Sequence, residues 1–173
     1  MKARKFFVAV VSTIVLSACV APVPRLNLND PQAIAGAISV QRDDFKKVTN
    51  YKGPNAADNF GDSVFIRAWK TDATGSINYQ IYVMDYYGGD WRFYNSAYDS
   101  NGNSLDTTKI SQDVGSCSTS GCSHFEHLGL NVTREYLEKN QDSGIRFKVS
   151  GKAGEEVFSI PSAYIKASLS VAK

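Results

Sequence analysis

The sequence predicts a mainly β (α+β) domain: an antiparallel sheet or β-sandwich of about seven to eight strands, with a short helix near 133–140 and a C-terminal helix. Three observations carry that expectation. SINYQIYVM (76–84) alternates Ile77, Tyr79, Ile81 and Val83 with Asn78, Gln80 and Tyr82, the period of a strand with one buried face. Similar runs follow one another across short turn-like connections, the pattern of sequential hairpins. Two segments instead carry helix starts, Thr133 as cap before REYLEKN and Pro161 as the first residue of PSAYIKASLSVAK.

In chain order, Asp30-Pro31 opens a short helix, with Asp as cap and Pro at the first helical position. Strands are expected from about Ile38. SVFIRAWK (63–70) and 76–84 flank the turn TDATG. DWRFYNSA (90–97) is expected as the next strand, with Trp91 and Phe93 toward the core and Arg92 and Tyr94 opposite. DSNGN (99–103) places Asn101-Gly102 as a type I′ turn. Residues 104–114 and 122–132 then form a less regular strand pair around a cysteine loop. After the helix capped by Thr133, IRFKVSG (145–151) and EVFSI (156–160) make a last hairpin. In the final helix Ile165, Leu169 and Ala172 share one face.

The first residues, MKARKFFVAVVSTIVLSAC, join a positive stretch (Lys2, Arg4, Lys5) to an apolar run, Phe6–Leu16, and then small residues. That is the layout of a secretory signal peptide, and the run is too short to span a bilayer. Leu16-Ser17-Ala18-Cys19 resembles the lipobox of bacterial lipoproteins. The resemblance implies cleavage of residues 1–18 and acylation of Cys19 at sulfur and amine. Several acyl chains together make a stable membrane anchor. Val20, in place of an aspartate, implies sorting to the outer membrane, with the domain facing the periplasm. Residues 19–37, rich in proline, would serve as lipidated N-terminus and tether, and 38–173 as a single β-rich domain. IRAWK, DWRFYNSAYD, the paired cysteines and IPSAYI further resemble a group of small β-rich proteobacterial lipoproteins. That group has no established activity, so no functional residue carries over from it.

Cleavage changes the charge reading. Removing 1–18 takes away Lys2, Arg4 and Lys5 and no acid, so 19 basic residues become 16 against 17 acidic. A near-neutral chain lacks the basic stripe of a nucleic-acid binder. G-x-S-x-G, a phosphate-binding glycine loop and H-E-x-x-H are all absent. DSNGNSLD (99–106) fails as a calcium loop, because Ser104 stands where an EF-hand needs glycine. Asn131-Val132-Thr133 matches a glycosylation sequon but reads as the approach to a helix.

The cysteine loop GSCSTSGCSH (115–124) admits three chemistries. As zinc ligands, Cys117, Cys122, His124 and His127 have the right donor types. Their two pairs lie too close in sequence to converge from separate elements, and the histidines point to opposite faces of a strand. As a hydrolase, Cys122 would need a histidine base, as in papain-like peptidoglycan hydrolases; there the cysteine opens a helix, whereas Cys122 opens a strand. As a disulfide, Cys117–Cys122 suits an oxidising compartment with Cys19 consumed by lipid. The disulfide is the expectation, with no metal and no cofactor beyond the covalent lipid.

Eight aromatic rings lie between Tyr79 and Tyr98. They form either ordinary cross-strand packing or a platform for a protein or envelope-glycan partner. Tyr82, Tyr94, Tyr98 and His124 are the candidate ligand-facing residues. These readings describe a non-enzymatic outer-membrane binding lipoprotein, with a hydrolase or metal-dependent enzyme using Cys122, His124 and His127 as the alternative. A thiol count on denatured protein without reductant is expected to find neither Cys117 nor Cys122 free; free thiols with bound zinc would favour the enzyme.

Overall fold

The computed structural model describes residues 25–173, so the signal segment, the lipobox and Cys19 lie outside the described residues. The described chain runs α1 (Pro31–Ala37), β1 (Ser39–Asp43), β2 (Val48–Lys52), β3 (Ser63–Thr71), β4 (Ile77–Gly88), β5 (Tyr94–Asp99) and β6 (Ser104–Ser118). It continues through β7 (Gly121–Val132), α2 (Arg134–Asn140), β8 (Ile145–Gly151), β9 (Gly154–Ile160) and α3 (Ser162–Val171). The strands form one antiparallel sheet of nine, ordered β1-β2-β3-β4-β7-β6-β5-β8-β9. The expected seven to eight strands therefore become nine in a single sheet. The β1–β2 hairpin is harder to read because β1 is an exposed edge strand that buries no apolar face.

The helix caps form as the sequence indicates. Asp30 Oδ1 accepts from the N–H groups of Gln32 (2.9 Å) and Ala33 (3.3 Å), with Pro31 at the start of α1. Ile34, inside the expected tether, is fully buried and α1 packs on α3, so the folded body reaches back at least to Pro31. Thr133 Oγ1 accepts from Tyr136 N–H at 3.1 Å, while Glu135 and Lys139 complement the dipole of α2. Pro161 occupies the cap of α3, one position before its expected place in the helix. The Tyr164 hydroxyl then donates to the Pro54 carbonyl at 2.6 Å. Gly53 makes room for it, since a Cβ there would overlap the phenol oxygen.

Cross-strand register sorts the first half of the sheet into two faces. Val64, Ile66 and Ala68 of β3 lie beside Tyr79, Ile81 and Val83 of β4, and these beside Leu128 and Leu130 of β7. All are buried and form one core with Phe147, Phe158, Ile165 and Leu169. The sheet curls so that β9 approaches β3. The helices lie on this inner side, where the Tyr79 hydroxyl donates to the Ala172 carbonyl at 2.9 Å. The outer face, bearing Lys52, Arg67, Trp69, Tyr82 and Tyr86, meets solvent.

Two local expectations need correction. Asp90–Phe93 is not strand, and β5 begins only at Tyr94. Phe93 has a φ of 56°, which turns the chain so that Phe93 is 42% exposed and Tyr94 is fully buried. A bulge between Tyr94 and Ser96 then puts Tyr94 on the same side as buried Ala97 rather than with Tyr98. At the next turn only Gly102 has positive φ (83°), Gly102 N–H donates to the Asp99 carbonyl, and Asp99 N–H to the Asn103 carbonyl. That is a three-residue loop with a glycine bulge, not type I′. The Asp99 carboxylate favours it by accepting from Asn101 and Asn103 N–H, each at 2.9 Å.

Ile34→Ala is expected to cost about 2–5 kcal/mol in urea unfolding, because it leaves a cavity between α1 and α3. A loss under about 0.5 kcal/mol would show that α1 is outside the cooperative core.

Candidate ligand-binding face

Two polar constellations occupy opposite faces of β4 and β7. On the outer face, register aligns Lys52, Arg67, Gln80, Asn131 and Asp106 in one row across β2, β3, β4, β7 and β6. Hydrogen bonds run along most of it. Arg67 donates from Nε (2.9 Å) and Nη2 (2.5 Å) to Gln80 Oε1. Gln80 Nε2 donates to Asn131 Oδ1 at 2.6 Å, and Asn131 Nδ2 to Asp106 Oδ2 at 2.9 Å. Gly129 allows this, because a Cβ there would overlap the Gln80 amide.

A second row stacks beside the first. The Phe65 and Tyr82 rings lie 4.6 Å apart and nearly parallel. Lys52 Nζ sits 4.8 Å from the Phe65 centroid, and the Arg67 guanidinium 5.2 Å from that of Tyr82. The Tyr82 hydroxyl and His127 Nδ1 share a hydrogen bond at 2.5 Å, and His127 Nε2 faces Asp113 Oδ2 at 3.6 Å. Burial pushes the Tyr82 phenol above its ordinary value, which opposes use as a phenolate nucleophile. Burial also pulls Arg67 below its ordinary value. Beside these rows a groove of ≈ 570 Å³ opens between Gln41, Asn50, Lys52, Arg67, Trp69 and Met84.

On the inner face the groups are sealed. Glu126 is 1% exposed and accepts from Phe93 N–H (2.8 Å), Tyr94 N–H (2.9 Å), Gln112 Nε2 (2.9 Å) and the Tyr87 hydroxyl. Burial works to raise its pKa, but the hydrogen bonds outweigh it and hold the carboxyl below its ordinary value of 4.5. Asp85 accepts from Arg92 Nη1 at 2.9 Å and the Tyr94 hydroxyl at 2.6 Å. Burial prevails there and pushes that carboxyl up. With both Glu126 oxygens and Asp85 Oδ2 facing protein donors, this cluster reads as structural.

The candidate residues separate accordingly. Cys117 and Cys122 are joined, with Cα atoms 4.0 Å apart. His124 and His127 fall on opposite faces: His124 is 7% exposed, with its ring 4.1 Å from that of Trp91, while His127 lies on the outer face. No His, Cys, Asp and Glu side chains converge as a metal site among the described residues. Tyr82 is half-buried on the outer face, and Tyr98 is 45% exposed on β5. Tyr94 faces no ligand, because it is fully buried with its hydroxyl held by Asp85 and Arg92.

No family model, curated protein or solved structure matches this chain. The functional reading therefore rests on the geometry. Lys52, Arg67, Trp69, Gln41 and Asn50 were not among the candidates. Alternation in SVFIRAWK does set Phe65, Arg67 and Trp69 against Val64, Ile66 and Ala68. Nothing local signals that Lys52 lies opposite Arg67.

Glu126→Gln is expected to destabilise the protein by about 1–3 kcal/mol at neutral pH, because an amide group then faces backbone N–H donors. The Glu126 carboxyl lies below 4.5 in the folded protein, so as pH falls the unfolded chain takes up that proton first. The stability it contributes is complete above about 4.5 and is lost as pH falls through the folded value. Urea melts across this acid range should show a shallower loss in the variant; equal slopes would argue against the assignment.

Proposed function

We propose that this protein is a non-enzymatic binding module of the bacterial envelope, held by lipid on Cys19 at the outer membrane and facing the periplasm. The binding surface is the outer face of the sheet around β1, β2, β3 and β4. One observation carries the reading. The Arg67–Gln80–Asn131–Asp106 half of that face spends its hydrogen bonds internally. Gln41, Asn50, Lys52 and Trp69 beside it make no side-chain hydrogen bond among the described residues, and they line the groove. Bonding capacity concentrated in a groove suits an external partner, a protein or an envelope glycan. The anchor rests on the lipobox alone, and near-neutral charge of the cleaved chain gives no support for a nucleic-acid partner.

The thiol-enzyme alternative loses its nucleophile to the Cys117–Cys122 bond, and its two histidines face apart. In cells, a photo-cross-linker replacing Asn50 should capture a partner that one replacing exposed Lys139 does not. Equal yields would count against the outer face. Separately, Cys19→Ala should release the protein from the membrane fraction; continued membrane association would remove the lipid anchor from the proposal.

A further inference from the structure

The geometry points to a carboxylate-bearing sugar chain, a uronate-type glycan, as the ligand of the outer-face groove; this rests on the reading of that face as the binding surface. Lys52 and Arg67 are direct cross-strand partners on one face. Like charges so placed repel each other, and an acidic neighbour would ordinarily offset that. None does: neither cation forms an ion pair among the described residues, and residues 1–24 contain no Asp or Glu. Arg67 is partly desolvated as well, which lowers its pKa and makes an uncompensated charge costly there. Two hydrogen bonds to Gln80 fix its guanidinium while Nη1 stays unspent. The pair is thus a preorganised anion subsite.

The surroundings select the rest of the ligand. Trp69 lies opposite Asn50, and Asn50 opposite Gln41, so an indole and two amides extend the groove away from the cations. No other ring or cation stacks on Trp69 among the described residues. Side-chain amides suit hydroxyl groups, and an apolar indole suits the C–H face of a sugar ring. An acidic peptide would make little use of the indole. A lipid surface would need a broad basic patch rather than two cations in a groove. The ≈ 570 Å³ volume exceeds that needed for a lone phosphate and accommodates sugar units.

Calorimetric titration of the otherwise full-length Cys19→Ala protein, which carries no lipid, tests this with tetragalacturonate and its methyl ester. The acid should bind, and the ester about tenfold or more weakly, because it loses charge-assisted hydrogen bonds. Lys52→Gln and Trp69→Ala should each weaken binding several-fold while the melting temperature stays near that of the parent. Lys139→Gln should change nothing. Equal binding of acid and ester would overturn the anion subsite. Hexaglutamate binding as tightly as the uronate, with no effect of Trp69→Ala, would assign the groove to acidic peptide. Retention on phosphatidylglycerol vesicles or displacement by inorganic phosphate alone would likewise overturn the glycan. If tetragalacturonate does not bind and the Asn50 cross-linker still captures a partner in cells, the glycan inference falls while the outer-face reading stands.

Discussion

One buried carboxylate reinforces the seam between the two halves of the sheet. Glu126 belongs to β7, yet its oxygens accept the N–H groups of Phe93 and Tyr94, where β5 begins. The backbone ladder is thin at that seam, since β5 and β6 share only the register pairs Ala97–Leu105 and Tyr98–Ser104. Charge-assisted bonds add what the ladder lacks. They also account for the positive φ of Phe93, which aims two successive N–H groups at one acceptor. That conformation costs about 1–2 kcal/mol in a residue with a side chain, and the carboxylate offsets it. Tyr87 and Gln112 complete the set, so β4, β6 and β7 all converge on the same group.

The outer face follows from that seam. Curling brings β8, β9 and the helices to the inner side, where apolar residues of β3, β4 and β7 are buried. The residues between them in sequence must then point outward. Those from Arg67 to Asp106 are hydrogen-bonded to one another, which makes that half of the face a stiff support. Gln41, Asn50, Lys52 and Trp69, from β1, β2 and the end of β3, have no such partners among the described residues. A rigid neighbour that orients Arg67 beside an unspent groove is an arrangement that lowers the ordering cost of binding.

The disulfide serves a different need. β6 and β7 extend as a long hairpin whose outer part, including Ile110 and Val114, is exposed. Register shifts interrupt the ladder at Lys109–Ser111 and Val114–Cys117. With no core to hold the tip, closing the short loop covalently contributes about 2 kcal/mol in the chain-entropy model. His124 sits just inside this clasp, between Trp91 and Tyr87, on the face away from the groove.

Alternation in 76–84, the Asp30 and Thr133 caps, and the final hairpin and helix were legible because period and capping depend on neighbours a few residues away. Opposite facing of His124 and His127 was legible for the same reason, since odd spacing in a strand decides it. Tyr94 was misplaced because a positive φ and a bulge, both tied to distant Glu126 and β8, reset the alternation. The β1–β2 hairpin escaped because an exposed edge buries no apolar face. Above all, the row from Lys52 to Asp106 could not be read along the chain. Its members come from five strands, and only the register between those strands, set by which faces reach the core, brings two cations side by side.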